Sequence, residues 1–393
     1  IRPQSRAAPR YEREDTTNMN DKLKALLASS LLLGILLLTA GCSSLQIVHA
    51  ADGATPQARM QQDLVTAISQ RKSSIQLKFV GNKNATLKQE IKDVLEAAIR
   101  SDDYLHYIVK TYKYKAAIKG NSATIDFSFT YWESLAQTAE VRRQVASIIK
   151  RIVTPGMNDH QKVKTVHDWV VANLAYDTRL VSHSAYDGLI DGSTVCQGYA
   201  LLTYEMMKQA GVPVRIAEGT SRGRAHTWNL VRIDGKWYHL DTTWNDPVPD
   251  AVGKVQYGYY NLTDAQIRVD HKWSASDGYP AASTDYGQVV SDLAKKGGSK
   301  AGFYRQLHGL MGYAYLEDAY TASNVSELTE QIRAAADNGE SVLVVRYTKG
   351  TTVTSDLKKA FNAQSGASRI SYTLEDYTRT PANDKLLRIT LHR

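Results

Sequence analysis

Three side chains able to do acyl chemistry follow one another along the chain: Cys196, His226 and Asp241. Cys196 lies in Gly192-Ser193-Thr194-Val195-Cys196-Gln197-Gly198-Tyr199-Ala200, where the pattern changes from loop to helix. Ser193 or Thr194 can cap a helix that starts at Cys196, runs through Tyr199, Leu202, Tyr204 and Met207, and stops at Gly211 and Pro213. In the first turn the unpaired N–H groups and the positive end of the helix dipole favour thiolate over thiol. A thiolate beside an imidazole held by a carboxylate is a nucleophile for carbonyl carbon.

Whether the three can meet depends on a hairpin. Asp234-Gly235 is a strong two-residue turn signal between His226–Ile233 and Lys236–Asp241. If these two residues form the turn, Ile233 pairs with Lys236 and Trp228 lies opposite Asp241. His226, two residues further on the same face, is then a diagonal neighbour of Asp241. A slip of one residue would send His226 to the other face. Taken singly, His226 also reads as a partly buried strand histidine, and Asp241 as a strand end that bonds the turn Asn245-Asp246-Pro247. His239 shares the face but pairs with Leu230, and His167-Asp168 sit on an earlier helix whose Val163, Val166, Trp169 and Val170 face a core. The 10 histidines form no His-Glu-x-x-His motif or close Cys/His cluster, and no glycine-rich phosphate loop is present, so neither a metal nor a cofactor is expected.

Further strings extend the pattern: Val166-His167-Asp168-Trp169, Ala175-Tyr176-Asp177, Tyr186-Asp187-Gly188-Leu189, Ala225-His226-Thr227-Trp228-Asn229 and Gly235 through Trp244, followed by Tyr259-Tyr260-Asn261-Leu262 and Asp270-His271-Lys272-Trp273. Over about 130 residues the chain resembles the transglutaminase-like superfamily, in particular its bacterial secreted members. The resemblance implies an α+β fold with a papain-like core, a Cys-bearing helix against an antiparallel sheet. It also implies Cys196 as nucleophile, His226 as base and Asp241 as orienting acid. For the oxyanion hole the backbone N–H of Cys196 is one donor, and Gln197, Tyr176 and Trp169 are candidates for the other. The expected reaction is cleavage or transfer at an amide bond of a protein or peptide through a thioester, with water as the default acceptor. Two alternatives stay open: cross-linking to an amine, and a non-catalytic domain that binds peptide or wall polymer.

The second cysteine bears on location. Met19 to Lys24 is a short charged start, residues 25–40 are almost wholly apolar or small, and Thr39-Ala40-Gly41-Cys42 follows. This resembles a bacterial lipoprotein signal, which implies lipid on Cys42 and an extracytoplasmic protein held at the membrane. Residues 1–18, rich in Arg and Pro, read as an upstream extension, and Cys196 then has no partner for a disulfide. Removing residues 1–41, with 6 basic and 4 acidic side chains, lowers the formal charge from +8 to +6. The excess is spread along the chain without a basic block, so nucleic acid is not an expected partner; anionic lipid or wall polymer suits it better. We expect a signal over 19–41, a tether over 42–60 and an N-terminal α/β domain over 61–135. A catalytic domain over 138–283 and a C-terminal α/β domain over 284–393 complete the chain. The two flanking units carry strand, helix and strand but no chemical motif. The polar segment 219–225 reads as a mobile loop. No feature of the sequence indicates an oligomeric state.

Overall fold

The computed structural model describes residues 54–251, 253–363 and 368–392. The signal, Cys42 and the tether up to residue 53 lie outside them. Residues 56 to 60, expected to end the tether, instead begin a helix. Thr55 caps Pro56–Ser69 by accepting from the Ala58 N–H, Pro56 stands where no N–H is needed, and Met60 is buried.

The chain is a mixed α+β structure with three cores. In the first, helices Pro56–Ser69 and Leu87–Ile99 cover one face of an antiparallel sheet in which Ser122–Tyr131 lies between Ser74–Val80 and Val109–Lys119. Leu87, Ile91, Val94, Leu95 and Ala98 recur at helical spacing and are all buried there, opposite Ile125 and Phe127. Burying such side chains contributes roughly 1.5–3 kcal/mol each. Glu133 ties this unit to the next: fully buried, it accepts from Tyr104 OH at 2.8 Å, Thr138 Oγ1 at 2.9 Å and the Tyr186 N–H at 3.0 Å.

In the second core, helices Leu135–Ile152, Asp159–Asn173, Ala185–Asp191 and Cys196–Gln209 pack against an antiparallel sheet. Its strand order is Lys236–Leu240, Arg224–Ile233, Val214–Ser221 and His271–Lys272. Asn158 caps its helix with a full capping box to Gln161, as its spacing allows. The segment 219–225 is not a loop. Val214–Ser221 pairs with Arg224–Ile233 out to Ser221 opposite Arg224, and only Arg222 and Gly223, both at positive φ (49° and 80°), form the turn. Its polarity reflects an exposed hairpin tip rather than a break in the ladder. Helices Tyr286–Lys296 and Ala301–Leu310 also belong to this core, through Tyr286, Val290, Tyr304 and Leu307.

The third core gathers residues 322–391: helices Val325–Asp337 and Val353–Asn362 lie on a sheet ordered Thr321–Ala322, Val342–Tyr347, Lys385–His392, Arg369–Asp376. From it Arg379 reaches back, buried, and donates to the carbonyls of Met311 at 3.1 Å, Tyr260 at 2.6 Å and Tyr257. Residues 273–279 form a separate short unit with a single turn, Ala275–Asp277. No helix among the described residues is long and apolar enough to cross a membrane.

Candidate active site

The helix Cys196–Gln209 is capped by neither Ser193 nor Thr194. Val195 is the N-cap and, being apolar, offers no side-chain bond, while Thr194 Oγ1 donates to the carbonyls of Ser182 at 3.0 Å and Ser184 at 3.2 Å. The first turn thus carries the positive end of the helix dipole with no side chain to quench it, and the thiol sits in that turn. Gly198 has a steric role: a Cβ there would stand 1.9 Å from Thr194 Oγ1 and 2.5 Å from the Ser184 carbonyl. Any side chain at 198 would push the cysteine helix off the segment that sets its start.

The hairpin places the other two groups. Ile233 pairs with Lys236, Leu230 with His239 and Asn229 with Leu240, the register counted outward from the Asp234-Gly235 turn. His226 follows on the same face as Trp228, and Asp241 is the first residue beyond its strand. Asn229 Nδ2 donates to the Ala200 carbonyl at 3.1 Å and Thr203 shares a 3.1 Å hydroxyl bond with Thr242, so the hairpin is fastened to the cysteine helix at two successive turns beyond the thiol.

The three side chains meet. His226 Nε2 lies 2.6 Å from Asp241 Oδ2, which leaves Nδ1 for the thiol, and His226 and Cys196 are hydrogen-bonded. Thr227 Oγ1 donates to Cys196 Sγ at 3.5 Å. Asp241 is fully buried; its Oδ1 accepts the Trp244 N–H at 3.0 Å, so it also braces the turn that follows the strand. Trp228 stacks near-parallel to the imidazole and Trp244 meets it edge-on, at ring separations of 6.0 and 6.1 Å. Cys196 is half-buried and a free thiol.

The electrostatics follow from this packing. Burial alone would push the thiol up, but the hydrogen bond and charge of His226, with the Thr227 donors, bring it below the ordinary thiol range. Burial opposes charge on His226 too, yet the Asp241 carboxylate and then Cys196 raise it to about 10. Burial would raise Asp241, but the charge and hydrogen bond of His226, followed by His271, hold it below the usual carboxylate range. All three directions favour the charged forms: an anionic sulfur, a cationic imidazole and an anionic carboxylate.

The oxyanion candidates fall in different places. Gln197 commits its side-chain amide to the Tyr107 carbonyl at 2.8 Å. Trp169 lines a surface pocket with Arg143, Ser147, Arg151, Asn173 and Leu189, none of which belongs to the Cys196 cluster. Tyr176 is brought near: burial and then the charge of Cys196 push its phenol up, while Arg224 draws it down. Behind the thiol, Tyr199 donates to Asp246 Oδ2, and burial lifts that acid to about 6. His167 is locked between Asp168 Oδ1 and Asn245 Nδ2, each at 2.9 Å, and His239 between Trp228 Nε1 at 2.9 Å and Asp264 Oδ1 at 2.8 Å, so both are structural.

One member of the cluster was not singled out from the residues. His271 is fully buried and places Nε2 3.1 Å from the same Asp241 oxygen that holds His226. Its strand is two residues long and pairs with Thr220 and Ser221, about fifty residues earlier, so no local periodicity marks it. Its only trace was the string Asp270-His271-Lys272-Trp273. His226, Asp241 and His271 could each offer a donor atom to a metal, all within 4.8 Å of one another. Direct hydrogen bonds of 2.6 and 3.1 Å to a single oxygen already account for that closeness.

Residues 146–242, a stretch that contains Cys196, His226 and Asp241, match the transglutaminase-like superfamily. Kyphoscoliosis peptidase from Mus musculus is 24% identical over 151 residues, and its Homo sapiens counterpart 22% over 165. These alignments cover 34% and 37% of this chain but span only 23% and 25% of the relatives' length. Among solved structures, a TGase aligns at 11% identity over 45% of this chain and 56% of its own, with a TM-score of 0.24. The periplasmic domain of TgpA from Pseudomonas aeruginosa aligns at 13% identity over 36% of this chain and 67% of its own, with a TM-score of 0.23. The likeness to the transglutaminase-like superfamily thus lies in residues 146–242, about a quarter of the chain and the stretch that holds the three side chains.

Proposed function

We propose that this protein is a thiol enzyme that opens amide bonds of proteins or peptides through a covalent thioester, with Cys196 as nucleophile, His226 as acid and base, and Asp241 as the carboxylate that orients His226. The observation that carries the reading is the alignment of Cys196, His226 and Asp241, with His226 Nε2 2.6 Å from Asp241 Oδ2 and the thiol lowered while the imidazole is raised. The thiolate adds to the carbonyl carbon, and the negative charge moves to the carbonyl oxygen. The backbone N–H of Cys196 in its uncapped turn supports that oxygen, with the Tyr176 phenol as the favoured second donor. As the C–N bond breaks, the His226 imidazolium gives its proton to the leaving amine, and a thioester remains. Neutral His226 then takes a proton from water, the hydroxide adds to the thioester, and the acid leaves as the thiolate is restored.

An amine in place of water would give a new amide and a cross-link. The relatives named as peptidases agree with water as acceptor. Offering a peptide library together with a labelled primary amine separates the outcomes: new carboxyl ends without label are expected, and label carried into the peptides would assign the transferase reaction. No turnover together with a Cys196 that alkylates like an ordinary thiol would leave a binding domain and overturn the proposal. The same reading takes the protein to be extracytoplasmic and lipid-anchored, supported by the apolar run before Cys42. Intact mass of the mature protein checks this: a chain starting at acylated Cys42 is expected, and an unmodified Cys42 would refute it.

A further inference from the structure

Beyond the cluster runs a line of alternating charge that the mechanism above does not use. Asp241 Oδ2 is shared by two imidazoles, His226 at 2.6 Å and His271 at 3.1 Å. On its other side His271 Nδ1 lies 2.5 Å from Asp270 Oδ1. Asp270 Oδ2 accepts from Tyr259 OH at 2.5 Å and pairs with Arg222 Nε at 3.6 Å. Arg222 continues to Asp376 in the C-terminal sheet, and Asp376 to Lys385. Arg222 stands at φ 49°, where a non-glycine residue costs energy, and its guanidinium lies 4.3 Å over the ring of Trp244, whose N–H holds Asp241 Oδ1.

An imidazole with a carboxylate oxygen on each nitrogen donates from both and carries a charge. His271 is such a group. Burial opposes its charge, Asp241 and Asp270 outweigh that, and His226, with its ring 5.3 Å away, opposes it further. His239, a further imidazole nearby, is itself disfavoured as a cation by burial and, to a smaller extent, by His271. Trp228 and Tyr259 close the other sides at 5.1 and 5.5 Å.

Building on the proposed thiol site, we infer that His271 is a positioning residue: a buried cation that divides the charge of Asp241 between two imidazoles and thereby sets the pH range over which Cys196 is a thiolate while His226 keeps its proton. Asp270 holds it charged, and Arg222, itself paired with Asp376, holds Asp270 in place. Without its charge, the thiolate loses a nearby cation, so the acid step of thiol reactivity moves up. His226 loses a like-charged neighbour, so its own deprotonation moves up as well.

The test is the pH–rate profile of Cys196 alkylation by iodoacetamide in the full chain, read on the Cys196 peptide by mass spectrometry so that Cys42 does not contribute. Wild type is compared with His271→Gln, which keeps an amide N–H for Asp241, and Asp270→Asn, which frees His271 to become neutral. Both steps are expected to move to higher pH, by about one unit in His271→Gln and by less in Asp270→Asn, which also removes an anion, with the double variant shifted no further than His271→Gln. Should His271→Gln fail to fold, Asp270→Asn decides alone. A wild-type acid step well below pH 8.5 with unshifted variants, or a uniform loss of rate at unchanged steps, overturns this inference and leaves the triad standing. A wild-type step at the ordinary thiol value, about pH 8.5, overturns the triad and this inference with it.

Discussion

Cys196→Ala is expected to abolish amide turnover, a fall on the order of 10⁵-fold or more in kcat, with melting temperature nearly unchanged. The thioester needs the sulfur, and no other cysteine lies among the described residues. The fold should not notice: the side chain is half-buried, it caps nothing, and alanine suits a helix's first turn. Thr227 loses a weak sulfur acceptor at 3.5 Å, and His226 loses its bond to the thiol but keeps Asp241. Cys196→Ser should be nearly as inactive, because a hydroxyl does not ionise beside an imidazolium as a thiol does. Kinetics on a peptide found by library screening, with a melting curve beside it, checks both. Equal turnover by wild type and Cys196→Ala would remove the thiol from the mechanism.

Asp241→Asn should cost on the order of 10³–10⁴-fold in kcat, for a reason that volume alone would not suggest. Asp241 presents acceptors on both sides, Oδ2 to two histidine N–H groups and Oδ1 to the Trp244 N–H. An asparagine has one oxygen. With that oxygen toward the histidines, its NH₂ meets the Trp244 N–H, donor against donor in a fully buried place. Turned the other way, its NH₂ faces His226 Nε2, the ring keeps its proton on Nδ1 against the thiol, and it cannot receive another. In either arrangement His226 and His271 lose the carboxylate that offsets their burial, so His226 should fall from about 10 toward or below its ordinary value. The acid step of Cys196 alkylation should then rise toward the unperturbed thiol range. A variant that keeps its wild-type profile would show that Asp241 braces the turn but does not tune the imidazole. Because Asp241 is held low in the folded state, its share of stability is present above the usual carboxylate range and is lost as pH falls through its lowered value. The variant should therefore differ most from wild type in melting temperature at neutral pH and least in strong acid.

What could be read from the residues was local in its physics. Asp234 and Gly235, at φ 47° and 78°, form a turn whose register depends on those two residues, and counting outward from it brings His226 to Asp241. The helix after Val195 was legible for the same reason, from its apolar spacing and its stop at Gly211 and Pro213. Its cap was not, because Thr194 spends its hydroxyl on carbonyls twelve and ten residues earlier. His271 depends on a pairing with Ser221, a distant segment that no window of sequence around it contains. The hairpin tip at Arg222 and Gly223 read as a loop because its polar side chains find partners across the fold, at Asp270 and Asp376.

Arg379 gives the C-terminal unit a part that its lack of motifs conceals. Among the described residues no carboxylate pairs with this buried guanidinium, so withdrawing it would expose three main-chain acceptors and strand a charge in one movement. Tyr257 and Tyr260, two of the residues it holds, bracket Tyr259, whose phenol bonds Asp270. The unit is in this sense a keystone: a shortened chain ending before Arg379 would be an arch without its last stone, rather than a smaller copy of the same fold.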